Sequence, residues 1–446
     1  MKLRNIILLF LAAVALTSCD DFLDITPTGK VIAKTGEEYR ALLTNEYKYF
    51  AKDRYMTTLR TDEMLMDKKK SSSTDLDAYL DLWRWKDENP SPTTSYFSWR
   101  NYYHNIYIAN YVIEHRGEIT NATRDEVNQL VGESYMLRAY CHFLLVNLYA
   151  EPYTHCQPAT TRGVPMQLAA DVNAIPGSSS VEAIYQQVLA DLDEAEKCLN
   201  VETWDVGMNY RFNKISAQAL RARTYLYMGE WQKALTAAKA VIEAHGELED
   251  MNSSKTLPNS YKSVESIVAL EKFSSNLFTA IDMPDPDFIN LYQTGDQRRT
   301  KFYKRATSSS YNLQKGGDDE FSCSFRSAEA YLTAAECAAR LNNTADAIDF
   351  LKPLLQKRLN STVLQEELDL IAPMTADQLT QEILDERARE LAFEGHRWYD
   401  LRRTSQPTLT RTYDDETFTL TPEKYTLRFP TEAVEANPEI ERWEKK

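Results

Sequence analysis

Histidine and cysteine are scarce in this chain, 6 of each in 446 residues, and the scarcity removes several chemistries at once. No CxxC pair, HExxH, GxSxG or Gly-rich phosphate-cradling loop occurs, and no run of His and Cys has metal-ligand spacing. Zinc, nucleophilic-serine and nucleotide chemistry therefore lack their usual residue sets. A long basic block is missing too: 51 Lys and Arg face 66 Asp and Glu, for a net charge of −15, which makes nucleic acid an unsuitable partner. The expectation is a protein with no catalytic residue, no metal and no cofactor. Carboxylates are plentiful, but a glycosidase needs two at a defined separation. Asp62 and Glu63 are the pair one would nominate, and a solvated surface role is expected of them.

No segment beyond the N-terminus is apolar enough to span a membrane. Lys2 and Arg4 precede an apolar run from Ile6 to Leu16 that is too short to cross a bilayer comfortably, and Leu16-Thr17-Ser18-Cys19 ends it. This is the layout of an export signal over residues 1–18. Its ending resembles a bacterial lipobox, which implies cleavage before Cys19 and acylation of its thiol; ordinary secretion with Cys19 near the cut is the alternative. Loss of Lys2 and Arg4 with that segment takes the charge from −15 to −17. Five cysteines remain, an odd number. Cys141, Cys198 and Cys337 fall in helical patterns as small core residues, while Cys156 and Cys323 lie in loop-like sequence and their pairing stays open.

What is present is mostly helix. One helix begins near Thr35, after a tether bearing Phe22, Leu23 and Ile25. From Arg54 to Trp99 the periodicity fades around two polar turns, at residues 68–73 and 89–92. Val127 to Tyr149 is the strongest amphipathic run, with Leu130, Leu137, Cys141, Leu144 and Leu148 on one stripe. After a Pro-rich excursion, Val181 to Leu199 is helical again, with Ser178 to Ser180 as candidate caps. Between Leu248 and Phe325 helical order breaks. Ile267, Ala269 and Phe273 alternate as in a short strand, Met283-Pro284-Asp285-Pro286 forbids a continuous helix, and Gly316-Gly317-Asp318 reads as a flexible tip. Tyr413 to Phe429 reads as strand or extended chain.

Two segments share one pattern. In SAQALRARTYLYMGEWQKALTAAKAVIE (residues 216–243) and SAEAYLTAAECAARLNNTADAIDFLKPLLQ (residues 327–356), Ala217 and Ala330, Ala222 and Ala335, and Ala234 and Ala347 all keep an offset of 113. Small residues let two helices approach closely, Gly229 or Asn342 closes the first helix, and Leu235 or Ile348 opens the second stripe. The pattern resembles a tetratricopeptide repeat (TPR).

Near the C-terminus, ERARELAFEGHRWYDLRR (residues 386–403) predicts a charged helix with an Asp385–Arg389 pair, a relaxed backbone at Gly395, and a second short turn. There Trp398 and Leu401 pack together while Arg397, Asp400, Arg402 and Arg403 stay in water. His396 and Asp400 are four apart and could form an acid/base or metal pair, or a structural contact. This run resembles the C-terminal signature of the SusD/RagB family, surface lipoproteins with which Bacteroidetes capture nutrients beside a TonB-dependent transporter. GESYMLRAYCHFLLVNLY (residues 132–149), the run after Cys19 and the close from Phe429 to Pro438 resemble other parts of that family's pattern. The resemblance implies a mainly α, TPR-like superhelical fold over residues 19–446 with irregular loops and a few short strands. Its N-terminal part would end near 320 and its signature part begin near 321. It further implies a lipid anchor at Cys19 in the outer membrane, facing outward as Asp20 and Asp21 suggest. The partner would be a SusC-like transporter and the ligand an oligosaccharide, with peptide the alternative and a surface enzyme or scaffold further rivals.

For the ligand, the chain offers aromatic residues in loop-like sequence. Trp83, Trp85, Tyr96, Phe97 and Trp99 cluster between Asp81 and Arg100, and Trp204 and Tyr210 precede the first TPR-like copy. Sugar rings present apolar faces that rigid aromatic side chains bind at little ordering cost. Trp83 and Trp85 are the first choice for a stacking platform and Trp204 and Tyr210 the second, while Trp99, at helical spacing with Tyr102, Tyr103 and Ile106, is assigned to the core.

Overall fold

The structure, a computed structural model, describes residues 33–440 except 52, 67–72, 89, 273–281, 309, 317–320 and 323. The expectations for residues 1–18, Cys19 and the tether lie outside the described residues. So do most of the turn at residues 68–73, Phe273, Cys323 and the tip at 317–318.

Helices dominate. The first, α1 (Gly36–Lys48), is capped by Thr35 in a reciprocal box with Glu38, which satisfies two otherwise orphaned N–H groups. The stretch expected to be irregular holds a 3-10 turn (Arg54–Arg60), a short strand (Met64–Met66) and α2 (Ser73–Trp83). Trp83 therefore ends a helix. Helices α3 (Trp99–Glu114) and α4 (Arg124–Tyr149) pack together, and α5 (Val181–Cys198), capped by Ser180, packs on α4.

The amphipathic reading of α4 is corrected, because it is buried all round from Gln129 to Tyr149. Its charged side chains survive there because each has a partner: Glu133 with Arg40 and Tyr47, Arg138 with Asp191 and Asn110. A buried polar group without one would cost more than its packing returns.

The repeat expectation holds in space. The first copy is α6 (Lys214–Met228) and α7 (Trp231–His245). The elements between the copies include α8 (Pro286–Ile289) and α9 (Gln297–Phe302), and the second copy is α10 (Ser327–Arg340) and α11 (Thr344–Arg358). Gly229 turns the first pair at φ +75° and Asn342 the second at +61°, the left-handed conformation that these two residue types tolerate best. The copies are neighbours: α10 packs on α7, and Ala222, Ala237, Ala238 and Ala334 form one small cluster where the helices approach. Two further helices follow, α12 (Ser361–Ile371) and α13 (Ala376–Glu390), then the short α14 (Arg397–Arg403) and α15 (Thr431–Ala436). Strands occur in two-stranded antiparallel pairs, such as the Leu409–Tyr413 and Glu416–Leu420 hairpin. Among the described residues no helix is long and apolar enough to cross a membrane.

The signature differs most from expectation. Asp400, Arg402 and Arg403 are buried and Arg397 nearly so, and the charged face of α13 points inward. Glu390 accepts from Arg298, Arg326 and Arg358 at 2.7–3.0 Å, while Glu394 pairs with Arg326 and Lys315. Asp400 bridges Arg387 and Arg403, and Arg403 reaches Glu336 on α10 at 2.7 Å. Arg389 pairs with Glu382 and Glu386, not with Asp385. The partners come from the 250–330 region, α10 and α11, so sequence-local pairing rules could not find them. Burial alone would raise the Glu336 carboxyl, yet Arg403, Arg340 and Arg387 hold it at about 2.

Candidate functional site

Where the chain enters α3, where residues 165–176 loop past it, and where Phe429 leads into α15, an open groove of roughly 1000 Å³ remains. Its wall is an aromatic nest. Trp99 opens α3 and packs against Tyr103 one turn on at 4.9 Å between ring centroids. Tyr149, at the end of α4, meets Trp99 edge-on at 5.1 Å, and Phe429 does so at 5.2 Å. The Tyr103 hydroxyl donates to the Pro165 carbonyl at 2.8 Å. At the mouth Tyr96 is 51 % exposed, with Val172 and Ile175 also exposed. Hydrogen-bonding groups stand around this apolar floor. Arg100 faces Glu432 at 3.7 Å, Arg428 pairs with Glu88, and His104 stands 3.4 Å from buried Glu46, whose carboxyl burial raises. A concave aromatic wall ringed by a few polar groups suits a ligand with apolar faces and hydroxyl edges.

The signature helix supports this groove from behind. Trp398 stacks on Tyr425 at 4.9 Å, and the Arg60 guanidinium lies over Trp398 at the same distance. Arg60 also holds Asp87, a groove residue, with two hydrogen bonds at 2.8 and 2.9 Å. Arg402 donates to the Tyr425 carbonyl at 2.9 Å, and Leu427 N donates to Leu148 O at 3.0 Å. These bonds fix the chain just before Phe429. Gly395 is needed here: it sits at φ +72°, and a Cβ on it would meet Arg54 O at 2.6 Å.

Of the residues nominated from sequence, Trp83 and Trp85 are corrected. Each is 1 % exposed, and their indole N–H groups donate to the Met64 and Arg60 carbonyls. The Arg411 guanidinium lies against both, 4.7 and 4.3 Å from the two rings, so the pair clamps an arginine inside the protein; Trp85 also borders a smaller cavity beside the groove, where it stays buried. Their neighbours in the same cluster, Tyr96, Phe97 and Trp99, do line the groove.

Trp204 and Tyr210 are half-buried and share the Arg211 guanidinium, at 5.1 and 5.3 Å; neither lines the groove. The solvated role expected for Asp62 and Glu63 is corrected. Glu63 is fully buried, and Asp62 holds Arg397 at 2.7 Å. His396 does not meet the Asp400 carboxylate. It is 3.3 Å from Arg54, and burial with the nearby Arg54, Arg223 and Arg387 keeps it far below its ordinary range. Cys156 is a free thiol. The residues missed from sequence are Tyr149, hidden in a helix read as core, and Phe429, whose only signal was its place in the closing pattern. Tyr103, read with Trp99 as core, was the nearest to legible.

Comparison with known proteins adds the family. Residues 21–226 match the SusD-like family described as "Starch-binding associating with outer membrane", and residues 271–433 match the SusD family. The chain belongs to the SusD/RagB family. Among relatives of this SusD/RagB protein, SusD-like protein P38 of Formosa agariphila is 24 % identical, with 91 % of this chain and 92 % of that protein covered. A SusD superfamily crystal structure from Bacteroides thetaiotaomicron superposes with a TM-score of 0.77 at 22 % identity, covering 92 % of this chain and all of that one. A laminarin-binding SusD-like protein superposes at 0.63 and 19 % identity, covering 84 % of this chain and 92 % of that one. At these identities the superpositions establish the TPR-like SusD fold.

Proposed function

We propose that this protein binds an oligosaccharide in the groove walled by Trp99, Tyr103, Tyr149 and Phe429, without turning it over, and passes it to a SusC-like TonB-dependent transporter. The observation that carries the reading is that aromatic nest, in which half-buried Trp99 and Tyr103 are backed by buried Tyr149 and Phe429, along an open groove bordered by paired charges and hydrogen-bonding groups. Rigid rings stack on sugar faces with little side-chain ordering, and the open mouth admits a polymer. Family membership and the laminarin-binding relative support a glycan over a peptide. The protein is held at the outer membrane by lipid on Cys19, facing the exterior.

The test is calorimetric titration of purified residues 20–446 with starch- and laminarin-derived oligosaccharides and with a peptide digest, alongside copurification with the transporter encoded nearby. Saturable glycan binding without product release, weakened in Tyr96→Ala, is expected. Binding of peptides alone, or release of shortened sugars, overturns the reading. Failure to copurify overturns the delivery role.

A further inference from the structure

A second cavity, of roughly 440 Å³, adjoins the aromatic groove, and the two share lining residues Lys86, Asp87 and Arg428. Its lining includes Phe418 of the C-terminal hairpin, over whose ring the Arg84 guanidinium lies at 5.7 Å, together with Trp85 and Thr426. The partition between the cavities includes the ion pair of Arg428 with Glu88, side chains 38 % and 66 % exposed. An exposed pair of this kind is weak, so a chain laid across it displaces little and gains two hydrogen-bonding groups at the crossing.

Most of the charge on these walls comes in opposed pairs, while Lys424 donates to the Thr419 carbonyl. Arg100 faces Glu432, Arg428 faces Glu88, Arg84 and Lys86 face Asp81, and Asp87 is held by Arg60. Among the described residues the second cavity sets Arg84, Lys86, Lys424 and Arg428 against Asp87, Glu88 and Glu423, a near balance of sign that gives a polyanion little to draw it into a protein of net charge −15.

Resting on the carbohydrate reading above, we infer that the second cavity is a further subsite of the same cleft. It takes the sugar units of an extended, uncharged glycan that run on past the aromatic groove. Phe418 is the apolar surface there and Arg428 with Glu88 the hydrogen-bonding junction.

The test compares disaccharides with heptasaccharides of α-1,4-glucan, β-1,3-glucan, β-1,4-xylan and β-1,4-mannan, with oligogalacturonate as the charged probe, by calorimetry. Thr426→Trp, which fills the second cavity from a half-exposed position, and Phe418→Ala are expected to weaken the best heptasaccharide about fivefold or more, the size of one lost ring contact. The matching disaccharide is expected to bind as before. Tyr96→Ala, in the first groove, weakens both lengths. Equal loss at both lengths, or no loss at either, in both second-cavity variants overturns the subsite. Preference for oligogalacturonate overturns the uncharged chain while leaving glycan binding standing. Absence of binding to every probe by the unaltered protein overturns the groove reading and the subsite with it.

Discussion

The Glu63 carboxylate accepts a hydrogen bond from the backbone N–H of Phe393 at 2.6 Å, across 330 residues of chain. Phe393 sits at φ +60°, an uncommon conformation for a bulky side chain, and this bond helps hold the turn that brings α14 under the groove. Burial pushes the Glu63 carboxyl from 4.5 up to about 7. The Thr61 hydroxyl lies within bonding distance of both Thr58 O and Glu63 Oε2, and it has one proton to give. A protonated Glu63 that donates to Thr61 leaves that proton for Thr58.

Because this carboxyl is raised in the folded state, its stabilising contribution is complete below 4.5 and is lost as pH rises through about 7. Glu63→Gln, which keeps an acceptor for Phe393 and supplies a permanent donor to Thr61, is expected to hold its stability across that window while the unaltered protein loses up to about 3 kcal/mol. Urea midpoints measured from pH 4 upward check this; parallel profiles for the two proteins would count against it.

Glu390 is expected to be among the most costly side chains to remove. Three arginines converge on it in the interior, and Glu390→Ala leaves them under-compensated, at a cost of roughly 3–5 kcal/mol. Denaturant unfolding of Glu390→Ala beside Glu382→Ala, a half-exposed partner of Arg389, provides the contrast; similar midpoints would refute it.

Among the tryptophans, Trp83→Ala and Trp85→Ala should each lose about 3–5 kcal/mol of stability, since both rings are buried around Arg411. Tyr96→Ala should melt near the unaltered protein yet bind glycan more weakly. Thermal melts paired with titrations separate the two classes. Early melting of Tyr96→Ala, or normal melting of both tryptophan variants, would reverse the assignment.

Close helix approach in the repeats predicts that Ala222→Leu and Ala335→Leu overpack their sites by roughly 1–3 kcal/mol each, as both residues are buried where the repeat helices meet. Unchanged midpoints in both would show that these helices have room to spare.

The anchor has its own test. Cys19→Ala should abolish incorporation of labelled palmitate and release the protein from membranes; label still incorporated would place the lipid elsewhere.

The sequence by itself determined most of the long helices, the paired repeats and the family, because each rests on a pattern of residues along the chain, whereas α2 and α12 went unread. Alanines at a constant offset, Gly229 and Asn342 at the turns, and the run from Glu386 to Arg403 are visible without coordinates. It also placed aromatic residues of the groove, Tyr96 and Phe97, inside one short stretch. Which rings of that stretch face water was decided only by the tertiary structure. Trp83 ends a helix that the local sequence did not announce, and an arginine from residue 411 packs against both buried rings, Trp83 and Trp85. The same holds for the signature's charges, which read as solvated until partners such as Arg298, Arg326, Glu336 and Arg358 arrive from distant segments. A charged side chain enters the interior only where an opposite charge or a set of hydrogen-bonding groups meets it, and that meeting is a property of the folded chain, not of its local sequence.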